Sequence, residues 1–134
     1  ALCTVEPVGE RALAVGDIAR FELPCESTRV SELILATARH GTLAVDPVAD
    51  PDLAHFLDAD MAILGASPDR FDDYERAIAN EYAAIPAAAF RAGRGRFLTR
   101  LLALPRLYQT SFFSSRLEAA ARANVARASA ALND

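Results

Sequence analysis

D-P-D-L-A-H-F-L-D-A-D-M-A-I-L-G, running from Asp50 to Gly65, is the stretch on which the reading of this chain turns. Asp50 followed by Pro51 has the form of a helix N-cap with proline in the first turn, and Gly65 has the form of a stop, so the spacing predicts one helix across the whole segment. With each residue advancing about 100° around the axis, Leu53, Phe56, Leu57, Met61, Ile63 and Leu64 fall on one side, and Asp60 falls in their middle. Asp58 lands toward the polar edge and His55 nearly opposite the stripe. An ionised carboxylate is expensive to bury unless it is paired, multiply hydrogen-bonded or bound to a cation. Asp60 is therefore expected to have a partner. Two readings stand: a structural carboxylate satisfied by an arginine or by helix-end amides, or a residue lining a site inside a helical bundle.

Upstream, Glu6 to Phe21 carries a weak helical pattern that Leu23-Pro24 breaks. A second helix is expected from Ser27 or Thr28 to His40, with Gly41 as its C-cap and Val30, Leu33, Ile34 and Ala38 as its stripe. His40 lies beside Leu33 at the edge of that stripe. It reads either as a helix-end histidine favoured by the dipole or as a site residue approaching Asp60 across the bundle.

Downstream, Ser67-Pro68-Asp69 starts a helix that reaches Ile85 before Pro86, with Phe71, Tyr74, Ile78, Tyr82 and Ile85 on its apolar face and Glu75 and Glu81 flanking it. Pro86 opens a further helix through Leu104, whose face is Phe90, Phe97, Leu101 and Leu104, with Arg94 in the same sector. A guanidinium there suits a carboxylate inside the bundle or a bound phosphate, because it pairs bidentately with both; snorkelling past the helix edge is the competing reading. Residues 105–115 read as a loop whose Tyr108, Phe112 and Phe113 seal one end of the core, before a last helix from Ser115 to Leu132. The period-two alternation of strands is missing from the sequence. The expectation is an all-α domain of five or six helices spanning residues 1–134.

Composition narrows the function classes. With 134 residues and 52% hydrophobic content the chain suffices for one domain with a core. Its apolar runs fall short of the ~20 residues that span a bilayer, and the first residues lack the pattern of a secretion signal. Cys3 and Cys25 have no metal-site spacing and read as reduced thiols of a cytoplasmic protein, with a disulfide as the alternative. The net charge is −4 and all 14 positive charges are arginine. From Asp46 to Glu81 ten acidic residues face only Arg70 and Arg76, whereas between Glu81 and Glu118 every charge is an arginine. That asymmetry reads either as an anion-binding surface beside a metal-binding one or as two solvated faces that attract each other. The acidic total and the lack of basic residues interleaved with aromatics speak against nucleic acid as a partner.

The succession L-I-L-A-T-A-R-H (Leu33 to His40), F-L-D-A-D-M-A-I-L-G (Phe56 to Gly65), N-E-Y (Asn80 to Tyr82), F-R-A-G-R (Phe90 to Arg94) and P-R-L-Y-Q-T (Pro105 to Thr110) resembles the later portion of a group of bacterial proteins described as predicted metal-dependent HD-superfamily phosphohydrolases. The resemblance covers roughly Glu10 to the C-terminus. It implies an all-helical HD-like bundle and a His, His-Asp and Asp ligand set that holds a divalent cation to activate water against a phosphoester, with a phosphorylated small molecule as substrate. The motif's final aspartate matches Asp60, and His40 matches a histidine often found near the site; Asp58 and Arg94 are carried as auxiliary residues. The sequence departs from the pattern in holding only His40 and His55 and no His-Asp dipeptide. A hydrolytic metal needs about three or four protein ligands, so this chain is expected to be inactive as it stands. It is expected to be either the C-terminal portion of a longer protein or a derivative that has lost its ligands. The alternative is a non-catalytic helical module for ligand binding or homodimerisation.

Overall fold

The computed structural model describes residues 7–39, 43 and 45–132. Among them the chain is all-helical, with six α-helices, one 3-10 turn and no strand. Helix α1 is Pro7–Arg20, α2 is Ser27–Thr37, α3 is Pro51–Asp60, α4 is Pro68–Glu81, α5 is Ala87–Ala103 and α6 is Ser111–Ala131; the 3-10 turn is Ala62–Gly65. No helix is long and apolar enough to cross a membrane among the described residues.

Proline and short polar residues mark the helix starts as the sequence implies. Asp50 caps α3 by accepting from the Leu53 amide at 3.1 Å, with Pro51 in the first turn. Pro68 stands in the first turn of α4 and Pro86 at the N-cap of α5. Helix α6 begins earlier than expected, because Thr110 caps it by accepting from the Phe113 amide. Phe112 and Phe113 therefore lie on the first turn of α6 rather than in a loop. Two residues beyond α1, Glu22 adopts the left-handed region (φ 48°), with the Leu23 amide reaching back to the Ile18 carbonyl at 3.1 Å, the backbone arrangement that usually recruits glycine.

The expected single helix from Asp50 to Gly65 is corrected. Helix α3 stops at Asp60, Met61 is its C-cap, and Ala62–Gly65 winds as a tighter 3-10 turn. Gly65 is where this turn meets α6: a Cβ built there would lie 2.6 Å from the Cβ of Leu117 and 3.1 Å from its carbonyl oxygen. Glycine is therefore required by close approach and does more than end a helix.

The core is assembled from Leu64 of the turn, Phe71 of α4, Leu98 and Leu101 of α5, Leu107 and Tyr108 of the following segment, and Ala121 and Val125 of α6. Helices α1 and α2 stand apart from it. They pack on each other, α2 rests against α3, and α2 has no buried residue. Arg29 of α2 is ion-paired to Asp50, so the charge that caps α3 also fastens the outer helix pair to the bundle. Cys25 is an exposed free thiol, and Cys3 lies outside the described residues.

Candidate functional site

The break at Met61 re-registers α3. Residues 61 to 64 helped define the apolar side in the sequence, yet the turn places Ile63 and Leu64 off the α-helical track. The face that α3 buries carries Ala54, Leu57 and Asp58, spaced i, i+3, i+4, with half-buried Met61 next in the series. Asp58, assigned to the polar edge, is 1% exposed. Asp60, assigned to the centre of the stripe, is exposed together with His55 and Phe56. The inward placement of Asp60 is thus corrected: the carboxylate within the core is its neighbour two residues earlier.

Asp58 is fully engaged. One oxygen accepts from the Gln109 amide at 2.7 Å; the other accepts from the Thr110 amide at 2.8 Å and from the Thr110 hydroxyl at 2.6 Å. The Thr110 hydroxyl, oriented by that bond, accepts in turn from the Phe113 amide. A buried charge is tolerable when it receives several charge-assisted bonds. It also sits at the positive end of α6, where an anion is favoured. Glu118 of α6 repeats the device on the preceding two residues: it accepts from the Leu107 amide at 3.0 Å and the Tyr108 amide at 3.4 Å. Two carboxylates thus take four consecutive amides, 107 to 110, of a segment without regular structure.

The same end of the bundle is tied by three further side chains. Arg122 pairs with Glu118 and donates to the Leu104 carbonyl at 2.8 Å, closing the C-terminus of α5. Asn124, 4% exposed, donates to the carbonyls of Leu64 and Ala66 at 2.8 and 2.9 Å. Tyr108 donates its hydroxyl to the Met61 carbonyl at 3.2 Å. Burial, with the Glu118 and Asp58 charges beside it, pushes that phenol up to about 12. Each of these contacts stabilises backbone among the described residues. The cleft beside Asp58, bounded by Arg39, Gln109, Leu57, Leu101 and Leu107, has a volume of about 20 Å³, space for a water molecule.

Arg94, read as the partner of a carboxylate inside the bundle or of a bound phosphate, is committed to a carboxylate of α4. It is fully buried and donates to both Glu75 oxygens, its Nε at 3.3 Å. Its guanidinium lies 5.0 Å from the Phe97 ring centre and 5.7 Å from that of Tyr74. Burial presses it toward losing its proton, but the Glu75 carboxylate outweighs this and holds its pKa above the ordinary value. The flank residue Glu75 is therefore the carboxylate that Arg94 meets inside the bundle, and the guanidinium does not snorkel past the helix edge. One of its terminal nitrogens, Nη1, is buried without a hydrogen-bond partner among the described residues.

His40, read as an auxiliary site residue, lies outside the described residues. The other histidine, His55, is exposed on α3, with its Nδ1 2.8 Å from the Pro51 carbonyl and its ring edge-on to Phe113. Among the described residues no three histidine, cysteine, aspartate or glutamate side chains gather as metal ligands do. A hydrolytic cation needs about three or four protein ligands, more than the described residues bring together. Asp58 was findable only in part. Its i, i+3, i+4 spacing with Ala54 and Leu57 is visible in the sequence, but its partners lie 51 and 52 residues away and no local pattern announces them.

No family of known proteins, no curated protein and no solved structure matches this chain.

Proposed function

We propose that the chain is a phosphohydrolase-like helical module of the HD type, in which Asp60 offers one carboxylate to a divalent cation whose other ligands come from outside the described residues. The observation that supports this reading is the position of Asp60. It is exposed at the last turn of α3, on a backbone immobilised two residues earlier by the buried Asp58 bonds and just afterwards by the turn under α6. A ligand supplied from so rigid a support is pre-organised for coordination. The ordered likeness of five segments to the phosphohydrolase group points to the same carboxylate. On this reading Asp58, Glu118 and Arg94 are scaffold, and a phosphorylated small molecule is the substrate class. With Asp60 as the one ligand this reading takes from the described residues, the chain alone is expected to bind metal weakly and to turn nothing over.

The test is a titration of the isotope-labelled chain with Mn²⁺, followed by amide line broadening. Broadening is expected to be strongest around Asp60 and to be lost from that region in Asp60→Asn, while a generic aryl phosphate is not hydrolysed. Turnover that vanishes in Asp60→Asn would overturn the expected inactivity. Broadening spread over the acidic surface and indifferent to Asp60→Asn would overturn the metal site, leaving a non-catalytic helical module for ligand binding or dimerisation.

A further inference from the structure

Several arginines of this chain have an acceptor among the described residues. Arg29 pairs with Asp50 and Glu32, Arg94 with Glu75, Arg122 with Glu118 and Arg127 with Asp72, while Arg91 and Arg116 donate to backbone carbonyls. The outer face of α5 is different. Arg96 and Arg100 are one helical turn apart and exposed, and neither makes an ion pair or hydrogen bond among the described residues. No acidic residue occurs between Glu81 and Glu118 to supply one from the neighbouring sequence. Ala92, Thr99 and Ala103, exposed on the same helix, are short, so the two guanidiniums stand clear of their surroundings and another helix can come close.

Helix α4 carries the complement. Asp69 and Asp73, also one turn apart, are exposed. Asp69 has no ion pair among the described residues, and Asp73 has only the local pair with Arg76, in which the side chains are 70% and 69% exposed. A pair so exposed contributes little and is readily exchanged. The two helices meet inside through Glu75 and Arg94, and no bond joins Asp69 or Asp73 to Arg96 or Arg100. Equal spacing and opposite sign therefore go unused within one molecule.

We propose that the Arg96–Arg100 face of α5 docks the Asp69–Asp73 face of α4 of a second copy of this chain. Guanidinium is weakly hydrated and matches carboxylate in a planar, two-bond fit, so two such pairs in register add orientation as well as attraction. A second copy is favoured over nucleic acid because the chain carries a net charge of −4 and exposes no aromatic ring on the outer face of α5 for base stacking. This inference is independent of the metal reading, since none of the four residues belongs to the candidate site.

Sedimentation velocity tests it with four proteins. At about 20 mM salt the wild type is expected to sediment faster as its concentration rises, and at about 500 mM, where screening shortens the reach of charge to a few ångströms, to return to the monomer. R96E/R100E and D69R/D73R, each confirmed as folded by circular dichroism, are expected to stay monomeric at low salt. Mixed in equal amounts they should associate again, since each presents a face opposite in sign to its partner's. A wild type that is monomeric at every concentration at low salt overturns the proposal, as does a mixture that fails to recover association. Retention of RNA by the wild type, lost in R96E/R100E and without self-association, would reassign the face to nucleic acid.

Discussion

Asp58 and Asp60 are two residues apart, chemically identical and opposite in role. Asp58 is buried under three hydrogen bonds, whereas Asp60 is exposed at the helix end. Converting Asp58 to asparagine replaces one acceptor oxygen by a donor that must face the N–H groups of residues 109 and 110 or the Thr110 hydroxyl. A buried donor left without an acceptor, together with the loss of charge-assisted bonds, costs about 2–4 kcal/mol. Asp60→Asn, at an exposed position, is expected to cost no more than about 0.5 kcal/mol. Urea denaturation of the two variants measures the difference. Equal losses, or the larger loss in Asp60→Asn, would show that the register of α3 is other than described. The pair also shows what a single sequence withholds. The burial of Asp58 rests on partners 51 and 52 residues away, so the letters D-A-D reveal an acidic pair without saying which member is the scaffold.

At the scale of elements, the helices were legible wherever a local cap or proline decided them. Asp50-Pro51, Ser67-Pro68 and Pro86 mark starts within a residue of where α3, α4 and α5 begin, because capping and the fixed φ of proline act over one turn. Helix ends were read too late: α4 stops at Glu81 rather than Ile85 and α3 at Asp60 rather than Gly65. These ends are set by packing, which the sequence does not display locally. Gly65 marks the difference. In the sequence it is a stop signal; in the fold it is a contact, with Leu117 of α6 occupying the space a side chain would need. Gly65→Ala should therefore push the turn away from α6 and destabilise the protein by about 1–3 kcal/mol, the usual cost of overpacking. In an exposed helix the same change would be favourable by up to about 1 kcal/mol. A thermal melt of the variant distinguishes the signs: a raised melting temperature would mean that the turn and α6 do not touch.

Across the whole molecule, the core and the outer helix pair are held by groups that titrate at opposite ends of the pH scale. Asp50, which receives the Leu53 amide and pairs with Arg29, has its carboxyl held below the usual range by those two partners, so its contribution is present above ordinary carboxylate pKa values and is lost as the pH falls through the lowered one. That loss loosens α1 and α2 where they join α3. The core fails at the other extreme. Tyr108 is buried at the centre of the amide-holding end, and desolvation, then the charges of Glu118 and Asp58, raises its phenol from 10.0 to about 12. The folded state therefore retains a proton that the unfolded chain gives up above about pH 10, and stability must fall as the pH rises from there toward 12. The loss is on the order of 2 kcal/mol. Tyr108→Phe removes this titration while giving up the bond to the Met61 carbonyl, which is worth about 1 kcal/mol. The variant is thus expected to be the less stable protein at pH 8 and to lose less than the wild type between pH 10 and 12, so that the two urea midpoints converge or cross. If both midpoints fall in parallel over that interval, Tyr108 is not the group that couples the core to alkali, and the phenol is better solvated than its place between Met61, Asp58 and Glu118 implies.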